Sequence, residues 1–360
     1  MDFLYICIPK FLIITMPQEL NEREKTILRH VIQQFILTAS PVGSRNITKK
    51  YEVGLSPASV RNIMSDLEEA GFIDHPHTSA GRIPTDKGYR FYVDSLMDIQ
   101  QLKNSEKVFI REKLEEGLET DDVLRISSAL LSKITKQLAC VSYPKLDTGI
   151  LEKIQIVSLS STRILVVISV KSGQVKTITL ELSSDIEDSK ILPVQTLLNE
   201  RLAGLTFSEI RKTFNERFRD VIDDDDNLIM RLFYDSVDKI FKDVIKRENI
   251  VISGAKNIIM QPEFENPERF QSIIELIEDR DIIVHILEKT GDSNEIFISI
   301  GSENEDIKLN DYSYITKEYK FGDTNGTLGI IGPKRMEYSK IVSIVDYMSK
   351  MISEMLTSPK

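Results

Sequence analysis

Between Leu55 and Gly71 the chain reads LSPASVRNIMSDLEEAG, a helix with both of its ends written into the sequence. Ser56 is placed to cap the first turn, Pro57 takes the first helical position, and Gly71 stops the helix. Upstream, Asn21 precedes Ile27, Leu28, Val31, Ile32, Phe35 and Ile36, an apolar stripe at helical spacing. That helix must end near Ser40-Pro41, because a proline disfavours helical geometry in the residue before it. VGSRNITKKYEVG then supplies a short second helix from about Ser44, closing at Gly54. Three helices in about fifty residues, the last two joined by a tight turn at Val53-Gly54-Leu55, make the pattern of a helix-turn-helix.

The next stretch, HPHTSAGRIPTDKGYRFY at 75–92, is too broken for a helix or a buried strand. FIDH before it and RFYV at its end are rich in strand formers, so a hairpin is expected there, and a helix-turn-helix followed by a hairpin is a winged helix. On the third helix Val60, Ile63, Met64 and Leu67 fall on one side, with Ala58, Asn62 and Ser65 opposite and Ser59 and Arg61 on the flanks. With Ser56 at the helix start, that outer face suits a major groove: Asn pairs with adenine, Arg with guanine, and small residues permit close approach. Ser44, Arg45, Lys49 and Lys50 are placed to hold phosphates. In the hairpin, Gly81 permits a sharp turn, and Ser79 and Ala80 permit close approach to a backbone. Arg82 would reach a minor groove, and Thr85, Lys87 and Arg90 phosphate. Tyr89, Phe91 and Tyr92 are read as anchors pinning the hairpin to the helices rather than as a base-stacking platform. The competing reading of each polar position is a solvated surface.

The remaining chain is an α+β body. The full length of 360 residues allows two or three domains. Residues 105–139 are helical in pattern, and 150–182 read as three strands with a turn at Lys171-Ser172-Gly173. Helical periodicity returns across 186–249, followed by a helix through PERFQSIIELIED, strands at DIIVHIL, EIFISIG, YSYITKEYKF and TLGIIG, and a closing helix from about Met336. Strands on either side of a long helical block indicate an α+β domain interrupted by a helical insertion. The net charge of −10, with an acidic run at 223–226, argues against indiscriminate polyanion binding by the whole chain.

Cys7 and Cys140 have no metal-like spacing and suggest a reducing cytoplasm. The opening MDFLYICIPKFLIITM makes a poor secretory signal, with Asp2 where a basic region belongs, and Lys10 breaks its apolar run. It is too short to span a membrane, so residues 1–16 are read as a dispensable extension before a start at Met16. His75 and His77 lack further ligands for a metal, and Gly326, Gly329 and Gly332 before Lys334 and Arg335 match no nucleotide loop. No set of catalytic residues stands out, so neither an enzyme nor a cofactor is expected.

The run LSPASVRNIMSDLEEAGFIDHPHTSAGRIPTDKGYRFYVD closely resembles the N-terminal domain of the HrcA family of heat-inducible transcription repressors. MQPEF (260–264), IGSEN (300–304) and GIIGPKRMEYSKIVSIVDYM (329–348) extend the resemblance over about 17–356. It implies a multidomain α+β chain: a winged-helix DNA-binding domain at 17–100, a GAF-like domain split into 104–185 and 250–356, and a helical dimerisation domain inserted at 186–249. It also implies a cytoplasmic homodimer on double-stranded DNA, at an inverted-repeat operator called CIRCE upstream of chaperone operons. The GroEL chaperonin would keep the repressor active, and heat-unfolded clients would draw the chaperonin away. A split domain with many long-range contacts folds slowly and exposes apolar surface, which suits capture by a chaperonin. The alternative is a small-molecule-sensing regulator acting through the GAF-like domain.

Overall fold

A computed structural model describes residues 6–7, 20–76, 81–117, 119–182, 185, 187–222, 228–242, 247–289 and 295–357. The expectations for His77, Ser79, Ala80, the acidic run at 223–226 and most of residues 1–16 lie outside these. The fold is mixed α+β and divides into two compact units. The first comprises 1–142, 247–318 and 327–355, and the second 143–246, 319–326 and 356–360.

The first unit opens with a short strand β1 (Ile6–Cys7) and continues with α1 (Glu22–Thr38), α2 (Ser44–Lys50) and α3 (Pro57–Glu69). Asn21 and Glu24 cap α1 reciprocally: Asn21 Oδ1 accepts from the Glu24 amide at 3.1 Å, and Glu24 Oε2 from the Asn21 amide at 2.8 Å. The helix ends on Ala39 in the left-handed region, just before Ser40-Pro41. Ile27, Leu28, Val31 and Ile32 are buried on α1, and Val60, Met64 and Leu67 on α3, and the two helices pack together. The antiparallel pair β2 (Ile73–Asp74) and β3 (Ile83–Pro84) follows, then α4 (Asp86–Phe91), which runs on as one π-helical turn over Tyr92–Leu96.

RFYV is therefore helix, not the hairpin's second strand, which is Ile83–Pro84. Two local facts decide this. Thr85 Oγ1 caps the helix by accepting from the Gly88 amide at 3.1 Å, and Tyr89, Tyr92, Val93 and Leu96 are buried at helical spacing. Next come α5 (Asn104–Glu115), α6 (Thr120–Thr135) and β4 (Leu138–Ser142).

In the second unit β5 (Leu151–Ser160), β6 (Arg163–Val170) and β7 (Val175–Glu181) form an antiparallel meander. The turn between β6 and β7 uses Gly173 at φ +85°, as the Lys171-Ser172-Gly173 sequence predicts. The helices α7 (Ile191–Leu202), α8 (Phe207–Ile222), α9 (Leu228–Asp235) and α10 (Val237–Phe241) cover it. Ile154, Val166 and Ile168 from the sheet share one core with Leu198, Phe207, Phe214, Phe218 and Phe233 from the helices. Asn199 of α7 bonds both the amide and the carbonyl of Ile154 at 2.8 Å, occupying backbone groups on the free edge of β5. The helical block expected at 186–249 is thus only part of this unit. The strands β5–β7, which the sequence places with the preceding domain, share one core with these helices.

The chain re-enters the first unit at β8 (Ile250–Ser253) and continues through α11 (Ala255–Ile259), α12 (Pro267–Glu278), α13 (Arg280–Glu288), β9 (Ile296–Ile300), β10 (Tyr312–Phe321), β11 (Thr324–Pro333) and α14 (Tyr338–Thr357). DIIVHIL, expected as a strand, is α13. Asp279 accepts from the Asp281 amide at 3.2 Å, and Ile282, Ile283, Ile286 and Leu287 form one buried helical face. The six-stranded sheet has the order β1-β9-β10-β11-β4-β8. Ser142 at the end of β4 pairs directly with Ile250 at the start of β8, so the intervening chain leaves and returns at neighbouring points. Among the described residues no helix is long and apolar enough to cross a membrane.

Candidate nucleic-acid interface

The turn between α2 and α3 is made by Gly54 at φ +64°. Ser56 Oγ accepts from the Ser59 amide at 3.1 Å and meets the Ser59 hydroxyl at 2.9 Å, which fixes where α3 begins. With Val60, Met64 and Leu67 buried, the rotation of α3 is fixed as well, and Ala58, Ser59, Arg61, Asn62 and Ser65 are all exposed on its outer side. Arg61 and Asn62 have no hydrogen-bond or ion-pair partner among the described residues. Asp66 and Glu69 are also exposed, so the acid-free part of this face is its N-terminal half.

On α2 the buried Ile47 turns Arg45 and Lys49 outward, with Ser44 in the first turn. Lys50 is exposed but donates to Gln34 Oε1 at 2.7 Å and lies over the Tyr51 ring. The structure thus places Ser44, Arg45, Lys49, Ser56, Ala58, Ser59, Arg61, Asn62 and Ser65 on exposed or half-exposed parts of one short helical segment.

The hairpin departs further from its reading. Val42 and Arg82 exchange both backbone hydrogen bonds at 2.8 Å, which ties the loop after α1 to the returning strand. A Cβ at Gly81 would stand 2.3 Å from the Val42 carbonyl carbon, so glycine is required there by close approach rather than by a sharp turn. A Pro41-Val42 pair gives no sign in sequence of a tertiary strand partner. Arg82 folds back onto α3, with one guanidinium nitrogen 2.6 Å from Glu68 Oε2.

Three residues expected at phosphate have partners within the fold instead. Thr85 donates to the Gly71 carbonyl at 2.7 Å while capping α4, so its hydroxyl is spent on the fold. Lys87 donates to the Ala70 carbonyl at 2.7 Å with its ammonium over the Phe72 ring. Arg90 is enclosed: it pairs with Glu303, donates to the Ile298 carbonyl at 2.8 Å and meets Asp94 at 3.2 Å. Burial opposes its charge, but the hydrogen bonds and charges of Glu303 and Asp94 outweigh that, and its pKa lies above the ordinary arginine value. The aromatic residues match their reading as anchors, since Tyr89 and Tyr92 are buried and Phe91 meets Phe72 edge-on at 5.3 Å.

One group of ligating side chains converges among the described residues: Glu68, Asp74 and His75. The second Glu68 oxygen already holds Arg82, and His75 Nδ1 contacts the first, so the cluster works as a hydrogen-bonded base for the hairpin.

Residues 121–342 match the family model described as HrcA protein C terminal domain. The chain is 40% identical over 353 residues to a heat-inducible transcription repressor HrcA of Chlorobium phaeobacteroides (strain BS1), covering 95% of this chain and 100% of that one. It is 41% identical over 346 residues to one of the same name from Prosthecochloris aestuarii, covering 93% and 97%. A hypothetical protein solved at 2.2 Å shares the fold, with a TM-score of 0.55, 22% identity, and 94% and 99% coverage.

Proposed function

The chain belongs to the HrcA family of heat-inducible transcription repressors, and from that premise we propose how its parts divide the work. It is a heat-shock transcriptional repressor and not an enzyme. Residues 20–97 act as a winged helix that lays α3 in the major groove, with Arg61 and Asn62 reading bases and Ser44, Arg45, Lys49 and the α3 N-terminus gripping phosphate. The observation that carries this is the unpartnered Arg61-Asn62 face, held outward by Val60, Met64 and Leu67. The β4–β8–β11 sheet with its helices is the GAF-like body, and the second unit joins two copies into a homodimer. Two such modules on one two-fold axis suit an inverted repeat such as CIRCE in the cytoplasm. The split first unit, whose strands β4 and β8 are separated by a whole second core, suits a chain that needs GroEL to reach its active form. A footprint over the organism's own chaperone promoters, with and without chaperonin, tests the reading; no protected inverted repeat in either case overturns it.

One observation favours a second reading, small-molecule control. A cavity of about 200 Å³ in the first unit is lined by Phe35, Ile83, Tyr89, Phe264, Arg269 and Tyr312, among others, and the buried Tyr89 hydroxyl has no hydrogen-bond partner among the described residues. A compound that shifts operator affinity in purified, chaperonin-free protein supports it.

A further inference from the structure

Four short stretches far apart in sequence meet behind the hairpin: TDKGYRF on α4, MQPEF before α12, IGSEN after β9, and GPKR before α14. Each brings a charged side chain or a glycine that the DNA-reading face does not use.

Arg90 Nε donates to Glu303 Oε1 at 2.7 Å, a second guanidinium nitrogen meets the other Glu303 oxygen, and the two side chains are only 16% and 11% exposed. Glu303 is itself fixed, because its Oε2 accepts the Ile300 amide at 2.9 Å. Asp86, in the first turn of α4, holds Lys334 at 2.7 Å with one oxygen and accepts the Ser302 amide at 2.9 Å with the other. Gly301 stands at φ +53°, and a Cβ there would come within 2.3 Å of the Asp86 carboxylate, so only glycine lets that carboxylate in. Arg335 pairs with Glu263, at 3.0 Å for Nη2 to Oε2, and donates to the Ile36 carbonyl of α1 at 2.6 Å.

We propose that Asp86, Arg90 and Arg335 form a latch that fixes the angle of α3 on the α+β body, making them positioning residues for operator binding that do not touch DNA. The inference rests on the DNA-binding reading above. Bidentate arginine–carboxylate pairs are directional, and a buried pair that loses one member leaves an uncompensated charge. The seam between helices and body therefore has one favoured arrangement rather than a sliding contact. A dimer engages two half-sites at once only when both modules are held at matching angles, and that joint engagement multiplies affinity. Asp86 and Arg90 of the hairpin stretch thus face the body of the protein.

The test uses Arg90→Glu, Glu303→Arg, the double swap and the conservative Arg90→Lys in the full chain, with anisotropy on the whole inverted repeat and on one half-site. Each single variant is expected to lose on the order of tenfold or more on the whole repeat, with half-site affinity nearly unchanged, and the swap to restore it. Arg90→Lys keeps the charge but not the fork and is expected to lie between. Amide exchange in α4, read without DNA, is expected to quicken in Arg90→Lys. Unchanged whole-repeat binding and unchanged exchange in Arg90→Lys overturn the latch. So does an equal fall on repeat and half-site with a salt slope reduced by about one, the signature of a lost phosphate contact. Wild-type protein that ignores the repeat overturns the DNA reading instead, and the exchange measurement still decides the latch.

Discussion

Gly88 of α4 lies so close to Phe72 that a Cβ at position 88 would stand 2.0 Å from the Phe72 carbonyl oxygen. The obstacle is backbone, which cannot rotate away as a side chain can. Gly88→Ala is expected to destabilise the fold by about 1–3 kcal/mol, the usual range for overpacking, by forcing α4 off the Phe72 backbone between α3 and β2. Thermal unfolding followed at the helix signal checks this; an unchanged Tm means that α4 can shift without loss.

Arg61→Ala and Asn62→Ala act on an exposed face, so stability should stay within about 0.5 kcal/mol of wild type. Operator affinity should fall by about 1–3 kcal/mol each for a bidentate base contact, with relaxed preference at the contacted base pair. Binding to operators substituted one base pair at a time is the measurement, and full affinity in both variants removes α3 from the interface.

Arg82 must leave Glu68 before it can reach nucleic acid. Arg82→Ala should weaken binding nearly uniformly across sequences and reduce the salt slope by about one. A change confined to one base position would instead make Arg82 a reader of sequence.

His30 stacks on Tyr51 with ring centroids 4.0 Å apart, and its buried Nδ1 has no hydrogen-bond partner among the described residues. Burial lowers its pKa below the ordinary 6.5, and the nearby Gln33 only partly opposes this. The unfolded chain therefore takes up the proton first. The neutral ring's contribution to stability is complete above about pH 6.5, declines as pH falls toward the folded-state pKa, and then levels off. Thermal unfolding over that window should show the decline in wild type and a flatter profile in His30→Phe; parallel profiles would assign the decline to other groups.

Ser142 and Ile250 are paired, so replacing 143–249 by a short turn converts β4 and β8 into a hairpin. Cutting at 186–249 instead would strip Ile154, Val166 and Ile168 of the helices that bury them. The chain shortened at the hairpin is expected to be folded and monomeric by light scattering and to lose most affinity for the whole repeat. A persistent dimer would place the joining surface elsewhere.

The three helices and their caps could be read directly because their determinants are local: Asn21, Ser56, Pro57 and Gly71 act on their own neighbours. The exposure of Arg61 and Asn62 is legible for the same reason, as the face opposite a buried stripe. The partners of Arg90 and Thr85 within the fold are not legible, because a basic or hydroxyl side chain in a glycine-rich stretch reads the same whether it meets phosphate, a carboxylate 213 residues away or a nearby carbonyl. DIIVHIL shows a second limit, since a short apolar run fits a strand or a buried helix equally, and Asp279 as a cap was the deciding sign. The extent of the second core was hidden because nothing in β5–β7 says which helices will cover it.

The bond from Arg335 to the Ile36 carbonyl bears on the helix dipole. The last turn of α1 contains no basic residue, yet its carbonyl end carries partial negative charge and acceptors without intrahelical donors. A guanidinium from 299 positions further along supplies both the donor and the countercharge. A fragment cut to 20–97 would therefore keep every residue of α1 to α4 and still fray at the end of α1, because the charge that terminates that helix is encoded at the other end of the chain.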